Sequence, residues 1–141
     1  MGTNDIICPL LVQVGLTFAL LFWMAYGRVT ALRRGEVKVR DIALGGDAWP
    51  ERVRQISNSF QNQFELPVLF YLLVVLVLVT NTADKTLVWL AWGFVASRVV
   101  HALIHTTSNV VLHRFYAYLT GFILLVAMWV AFALRLSAGA V

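Results

Sequence analysis

Charged side chains are scarce in this sequence. Only 13% of the 141 residues are charged, whereas 60% are hydrophobic. A soluble domain is about half apolar and about a quarter charged, and the mean hydropathy here is +0.80. This composition excludes an ordinary soluble globular protein. We therefore predict an integral membrane protein, and the length predicts one domain over residues 1–141.

Cysteine is nearly absent as well. The single Cys8 excludes an internal disulfide and a metal site built on several thiolates. Cys8 is either a reactive thiol or a packing thiol near the membrane edge, and we favour the second interpretation. No Lys or Arg precedes the first apolar run, which therefore does not resemble a secretory signal peptide. We expect that run to be retained as a membrane span.

Basic residues are unevenly distributed along the chain. Seven of the eleven Lys and Arg residues lie between Arg28 and Arg54. This segment has few aromatic residues and adjoins apolar spans, so we predict no nucleic-acid partner. The positive-inside rule instead predicts that this basic first loop lies in the cytoplasm and that both termini lie on the opposite side.

Four apolar segments are long enough to form membrane-spanning helices. They cover residues 6–27, 50–80, 86–106 and 114–136. Because the second and third connections are short, consecutive helices should lie side by side and antiparallel. The predicted fold is an all-α membrane protein, an antiparallel bundle of four transmembrane helices.

Proline placement gives further detail in the second span. Pro50 suits the first position of a helix, and Asp47 just before it suits a capping position. Pro67 lies inside the span and removes one backbone hydrogen bond, so we expect a kink there. The segment before Pro50, residues 28–49, is predicted to be a polar loop.

A polar stripe runs along the first half of the second span. Its members recur at helical spacing: Arg54, Asn58, Gln61, Asn62 and Glu65. A solvated helix face explains the first members but not Glu65. Only residues 66–80 follow it as an apolar run, and at ~1.5 Å each they cover about 22 Å of a ~30 Å core. Glu65 is thus predicted to lie inside the membrane.

Arg98 interrupts the third span at a similar depth on a helix that runs the other way. A charge inside the membrane is far more costly alone than with a partner. We therefore predict an ion pair between Arg98 and Glu65, or a ligand that they share. Locking the bundle and forming part of a functional site both remain open as roles of these charges.

Two histidines follow Arg98 on the same helix face. The spacing of His101 and His105 suits metal or haem ligation. No HExxH motif accompanies them, however, and the only further nearby ligand is His113. We therefore expect no metal.

The fourth span opens with Arg114, with Tyr118 one turn on. Gly121 would let a partner helix approach closely. The predicted topology gathers these residues at the same end of the bundle as the polar stripe. Several arginines with one carboxylate and several amides favour a small zwitterionic ligand that carries more than one carboxylate. An apolar, membrane-open wall beside them suits a lipophilic second substrate.

Four segments resemble motifs of one known family. They are ERVRQ at 51–55, NQFELP at 62–67, ASRVVHALIH at 96–105 and the opening of the last span at 114–121. With its four spans, basic first loop and short later connections, the chain resembles the MAPEG family, the membrane-associated proteins in eicosanoid and glutathione metabolism. Two positions depart from the family pattern: Asn58 stands where arginine is common, and His105 where tyrosine is frequent.

The resemblance implies a homotrimer that holds glutathione, its co-substrate, between subunits at the cytoplasmic side. It implies that Arg114 stabilises the glutathione thiolate with assistance from Tyr118. The implied glutathione-binding residues are Arg54, Asn58, Asn62, Glu65, Arg98, His101 and His105. A thiol with a pKa of about 8.5 must lose its proton before it attacks, and a fixed guanidinium lowers that pKa.

The implied function is that of a glutathione-dependent membrane transferase or peroxidase. Its substrates would be lipophilic electrophiles or lipid hydroperoxides that arrive from the bilayer. The alternative is a non-catalytic membrane scaffold or ligand-binding relative with the same bundle, because a fold alone does not settle function. A transporter is disfavoured, since four short spans offer no pair of halves with interrupted helices.

Overall fold

All regular elements of the computed structural model are helices within the residues that it describes, 4–43 and 48–138. The main helices are α1 (Asn4–Arg33), α2 (Glu51–Gln61), α3 (Leu66–Val79), α4 (Lys85–Thr106) and α5 (Val111–Ser137). Short 3₁₀ helices cover Val39–Ile42 and Asn62–Phe64. With α2 and α3 counted as one span, four helices are long and apolar enough to cross a membrane. The prediction of an all-α membrane fold with four spans is confirmed.

Contacts at the two ends of the bundle establish its antiparallel order. At one end, Arg135 near the end of α5 pairs with Asp84, the N-cap of α4. At the other end, Arg52 at the start of α2 donates a hydrogen bond to the main-chain oxygen of Thr106, the last residue of α4. The Arg52 guanidinium also lies 5.2 Å from the ring centroid of Trp23 in α1. We call these the Arg135 end and the Arg114 end.

The apolar core lies toward the Arg135 end. It joins α3, the first half of α4 and the second half of α5, and the rings of Phe70 and Phe94 stack with centroids 4.7 Å apart. Every residue of α3 is apolar or aromatic, which suits a helix whose backbone bonds are satisfied within the segment in a membrane. This arrangement leaves the Arg114 end for polar side chains.

Helix α1 is longer than the predicted span 6–27, because it continues through Arg33. Gly35, two residues after the last helical residue, adopts a left-handed φ of 68°. The amide of Gly35 bonds to the carbonyl of Leu32 and that of Glu36 to the carbonyl of Ala31, the pattern of a glycine-terminated helix. The basic residues after position 27 ended the apolar run but not the helix, so the predicted loop 28–49 begins later.

The second span is interrupted rather than merely kinked. A 3₁₀ turn follows α2, Glu65 leaves the helical region with a ψ of −105°, and α3 restarts at Leu66. Pro67 then occupies the first turn of α3, where a missing N–H breaks no helical bond. Pro50 immediately precedes α2 instead of opening it. The predicted capping residue Asp47 lies outside the described residues.

The third connection is also shorter than expected. Helix α5 begins at Val111, three positions before the predicted start at Arg114. The turn between α4 and α5 is therefore limited to residues 107–110, and this compact turn brings the end of α4 close to Arg114.

Candidate functional site

A cavity of about 840 Å³ opens at the Arg114 end. The ends of α1 and α4 and the starts of α2 and α5 contribute to its wall. Four of the predicted site residues line it: Arg54, Asn58, His105 and Arg114. Helix α2, the last turn of α4 and the first turn of α5 thus bring an amide, an imidazole and two guanidinium groups around one space.

A smaller cleft of about 210 Å³ lies beside this cavity. Its lining includes two further predicted site residues, His101 and Tyr118, together with the apolar side chains of Val111 and Phe115. Arg114 lines both spaces. It therefore stands at the junction between a polar cavity and a largely aromatic and apolar cleft.

Two side chains hold the guanidinium of Arg114. Its Nη1 donates to Oδ1 of Asn109 at 2.5 Å and lies 3.3 Å from Nε2 of His105. Arginine can only donate hydrogen bonds, so Nε2 of His105 is the acceptor. The imidazole of His105 is consequently neutral, with its proton on Nδ1.

Arg98 lies deeper than this cavity and is fully buried, with 0% of its surface exposed. Its Nη2 donates to the main-chain oxygen of Asn62 at 3.1 Å, and its guanidinium lies 5.7 Å from the ring centroid of Tyr118. Nε and Nη1 of Arg98 have no hydrogen-bond partner within the described part of the chain. The helix interruption after Asn62 explains why its carbonyl is available to Arg98.

The predicted ion pair between Glu65 and Arg98 is wrong as a direct contact. Across residues 4–43 and 48–138, the ion pairs with N···O distances within 4.0 Å do not include it. Glu65 interacts electrostatically with both Arg98 and Tyr118, but its own side chain is exposed. Glu65 thus stays near Tyr118 and Arg98, but the direct partner of the Arg98 guanidinium is the Asn62 carbonyl. A ligand shared by Glu65 and Arg98 stays a prediction.

The two histidines follow Arg98 on the buried face of α4. Only 3% of His101 and 4% of His105 is exposed, and their ring centroids lie 5.8 Å apart. The ring of His101 also lies 5.9 Å from that of Tyr118. The described residues contain no group of three or more His, Cys, Asp or Glu side chains placed to hold a metal ion.

Several cavity residues escaped the sequence reasoning. The main ones are Arg28, Trp49, Glu51 and Gln55. Asn109, which continues the helical spacing of Arg98, His101 and His105, lines the cavity as that spacing predicts. Glu51 and Gln55 precede Arg54 and Asn58 by the same helical spacing, so the stripe could have been extended by one turn. Arg28 was assigned to a loop, yet it lies in α1, where its Nη2 donates to Oγ of Ser57 at 3.0 Å.

Asn62 and Glu65 do not line the large cavity, and Arg98 does not line either space. Of the nine predicted site residues, four line the cavity, two more line the cleft, Arg98 is buried, and the remaining two, Asn62 and Glu65, lie near Arg98 outside both spaces. Arg114 lines both the cavity and the cleft, and Tyr118 of the cleft lies against the guanidinium of the buried Arg98.

Comparison with known proteins agrees with this architecture. The model of the MAPEG family matches residues 6–134, which include nearly all of the four spans and every predicted site residue. No curated protein and no solved structure matches the chain. Because the family match extends over most of the sequence, this four-span chain belongs to the MAPEG family.

Proposed function

We propose that this protein is a glutathione-dependent membrane transferase or peroxidase that acts on lipophilic electrophiles or lipid hydroperoxides. The observation that carries the proposal is the position of Arg114, which lines both the polar cavity and the smaller cleft. A charged peptide thiol and a lipophilic substrate need different surroundings, and they can react only where these meet. Arg114 occupies that meeting point.

The charges of the cavity suit glutathione, which has two carboxylates and one ammonium group. Arg28 and Arg54 offer guanidinium groups to the carboxylates, since arginine binds carboxylates with two parallel hydrogen bonds. Glu51 offers a carboxylate to the ammonium group. Within one subunit Glu51 is therefore better placed for this role than Glu65.

A homotrimer would explain the remaining predicted site residues. Glu65 is exposed at a depth where the chain is expected to cross the membrane, and carboxylates rarely face lipid. We propose that Asn62, Glu65 and Arg98 complete the glutathione site of a neighbouring subunit on the cytoplasmic side. The exposed carboxylate of Glu65 would then meet the shared ligand, while Arg98, which is fully buried, would support it from behind by binding the Asn62 carbonyl.

The proposed chemistry begins with loss of the glutathione thiol proton. The Arg114 guanidinium, at the edge of a low-dielectric cleft, favours the thiolate. In the transferase reaction the sulfur attacks an electrophilic carbon, a C–S bond forms, and the leaving group departs with its electron pair. In the peroxidase reaction two molecules of glutathione are oxidised to the disulfide while the hydroperoxide is reduced to an alcohol and water.

Glutathione titration of the detergent-solubilised protein tests this function. Binding should be accompanied by the ultraviolet absorbance of a thiolate, and Arg114→Ala should abolish that absorbance. Arg135→Ala is the matched control, because it removes an arginine from the opposite end of the same helix. Absence of binding at millimolar glutathione would refute the enzyme. Binding without thiolate formation would instead favour a non-catalytic ligand-binding relative.

A further inference from the structure

We propose that Asn109 is a positioning residue of this site. It holds the Arg114 guanidinium in place without reducing its positive charge. The inference rests on the proposed function, because it concerns the guanidinium that would stabilise the thiolate. Asn109 lies in the turn between α4 and α5, five positions before Arg114. Both its backbone and its side chain contribute.

The backbone of Asn109 closes the turn. Its φ is 50°, in the left-handed region, and its amide donates to the carbonyl of Ile104 at 2.8 Å. Among residues with a side chain, asparagine and aspartate adopt this conformation most readily. The compact turn therefore restricts position 109 to asparagine, aspartate or glycine.

The side chain of Asn109 then fixes the guanidinium. Its Oδ1 accepts from Nη1 of Arg114, and Nε2 of His105 accepts from the same nitrogen. One acceptor comes from the turn and the other from the last turn of α4. A long arginine side chain is thereby ordered before any ligand binds, which is the condition for an effective electrostatic catalyst.

Both acceptors are neutral, and this distinguishes asparagine from aspartate at position 109. A carboxylate would hold the guanidinium more strongly but would offset the positive charge that favours the thiolate. An amide and a neutral imidazole hold the group and leave its charge available. Glycine would keep the turn but provide no acceptor.

The pKa of the bound glutathione thiol tests this proposal, measured from thiolate absorbance as a function of pH. Asn109→Gly keeps the turn and removes the acceptor, whereas Asn109→Asp keeps the acceptor and adds a charge. Each should raise the thiol pKa and leave about tenfold less thiolate at neutral pH, which corresponds to one pKa unit. The thermal midpoint of the Gly variant should equal that of the wild type.

The charged and titratable side chains around Arg114 are unchanged in these variants. They are His101 and His105 of α4, Tyr118 of α5, Glu51 and Arg54 of α2, and Arg28 of α1. Asn81→Gly is the matched control, because Asn81 also has a left-handed φ, 52°, in the turn between α3 and α4. That variant should show the wild-type thiol pKa.

A wild-type thiol pKa in Asn109→Gly would overturn the positioning role. A wild type that forms no thiolate would overturn the proposed function, and a second measurement separates the two failures. NMR of isotopically labelled histidine reports which nitrogen of His105 carries the proton. The wild type should show the Nδ1–H form, and Asn109→Gly should admit the Nε2–H form as Arg114 loosens. An unchanged tautomer in the Gly variant would contradict the proposal even without glutathione.

Discussion

Arg98 and Asn62 are joined across two helices by a hydrogen bond of 3.1 Å from Nη2 to a main-chain oxygen. In an uninterrupted helix that oxygen would accept the amide of Leu66, four positions later. A continuous helix would also require an N–H from Pro67 to the carbonyl of Gln63, but proline has none and its ring clashes with that carbonyl. The interruption before Pro67 therefore frees the Asn62 oxygen, and the buried Arg98 guanidinium supplies the hydrogen bond that this oxygen lacks.

This coupling predicts that the effect of replacing Arg98 depends on Pro67. Arg98→Met leaves the Asn62 oxygen without its donor and should lower the free energy of unfolding by about 1–3 kcal/mol. In a Pro67→Ala background the helix can close and Leu66 can supply the donor, so the same substitution should have a smaller effect. Unfolding of the four proteins in detergent measures the difference.

The control for that cycle is Arg33→Met, which alters an exposed arginine at the end of α1. It should change the free energy of unfolding by no more than about 0.5 kcal/mol in either background. Equal effects of Arg98→Met with and without Pro67 would show that the buried guanidinium and the interruption are independent.

A second prediction concerns the close approach of α4 and α5 at Gly121. A Cβ atom at this position would lie 2.6 Å from Oγ of Ser97, so Gly121→Ala should destabilise the protein by about 1–3 kcal/mol. Ser97→Ala removes that oxygen, and the next nearest Ser97 atom, Cβ, lies at 3.7 Å. The double variant should therefore recover much of the loss in thermal unfolding.

Ser97→Ala alone is the reference for this pair, since it loses only the hydrogen bond from Oγ to the carbonyl of Phe94. If the double variant were as unstable as Gly121→Ala, another neighbour would determine the spacing of the helices. Arg98 is the candidate, because its Cδ lies 3.7 Å from the same Cβ position.

The four membrane spans could be predicted from the sequence, whereas the exact ends of the helices could not. Runs of apolar residues located all four spans, because the cost of burying charge in a membrane dominates the composition of each segment. Helix ends followed other rules. Gly35 ends α1 and residues 107–110 connect α4 to α5, and these depend on backbone hydrogen bonds that hydropathy does not report.

The site was predicted in part for a similar reason. Helical spacing and depth brought Arg54, Asn58, His105 and Arg114 to one end, and the structure places all four on one cavity. The same reasoning paired Glu65 with Arg98, because it treated charges as the only partners for charges. A main-chain carbonyl released by the helix interruption is invisible to that argument.

The first span contains a polar contact that hydropathy also concealed. Gln13 is fully buried, and its Nε2 donates to Oε1 of Gln63 at 2.9 Å. Gln63 in turn donates to the main-chain oxygen of Ser59. Gln13→Leu should thus leave a buried acceptor unpaired and lower the free energy of unfolding by about 1–3 kcal/mol.

Replacement of both partners should have a smaller effect than that single substitution, because Gln13→Leu with Gln63→Leu leaves neither side-chain amide unpaired. Thr17→Val serves as the control, since it removes only a bond within α1 to the carbonyl of Gln13. A double variant less stable than Gln13→Leu would show that the bond from Gln63 to Ser59 is the more important one.

The last prediction concerns Asn58, which lines the cavity together with Arg54. Asn58→Arg should add a guanidinium for a glutathione carboxylate and tighten binding about tenfold, or about 1.4 kcal/mol. The main-chain oxygen of Asn58, which accepts from Asn62, is retained in the variant. Isothermal titration with glutathione measures the change, and added salt should reduce it because the cavity is open to solvent.

Asn58→Gln extends the side chain without charge and should bind as the wild type does. Equal affinities of the Arg and Gln variants would mean that the carboxylates of glutathione do not reach this part of the cavity.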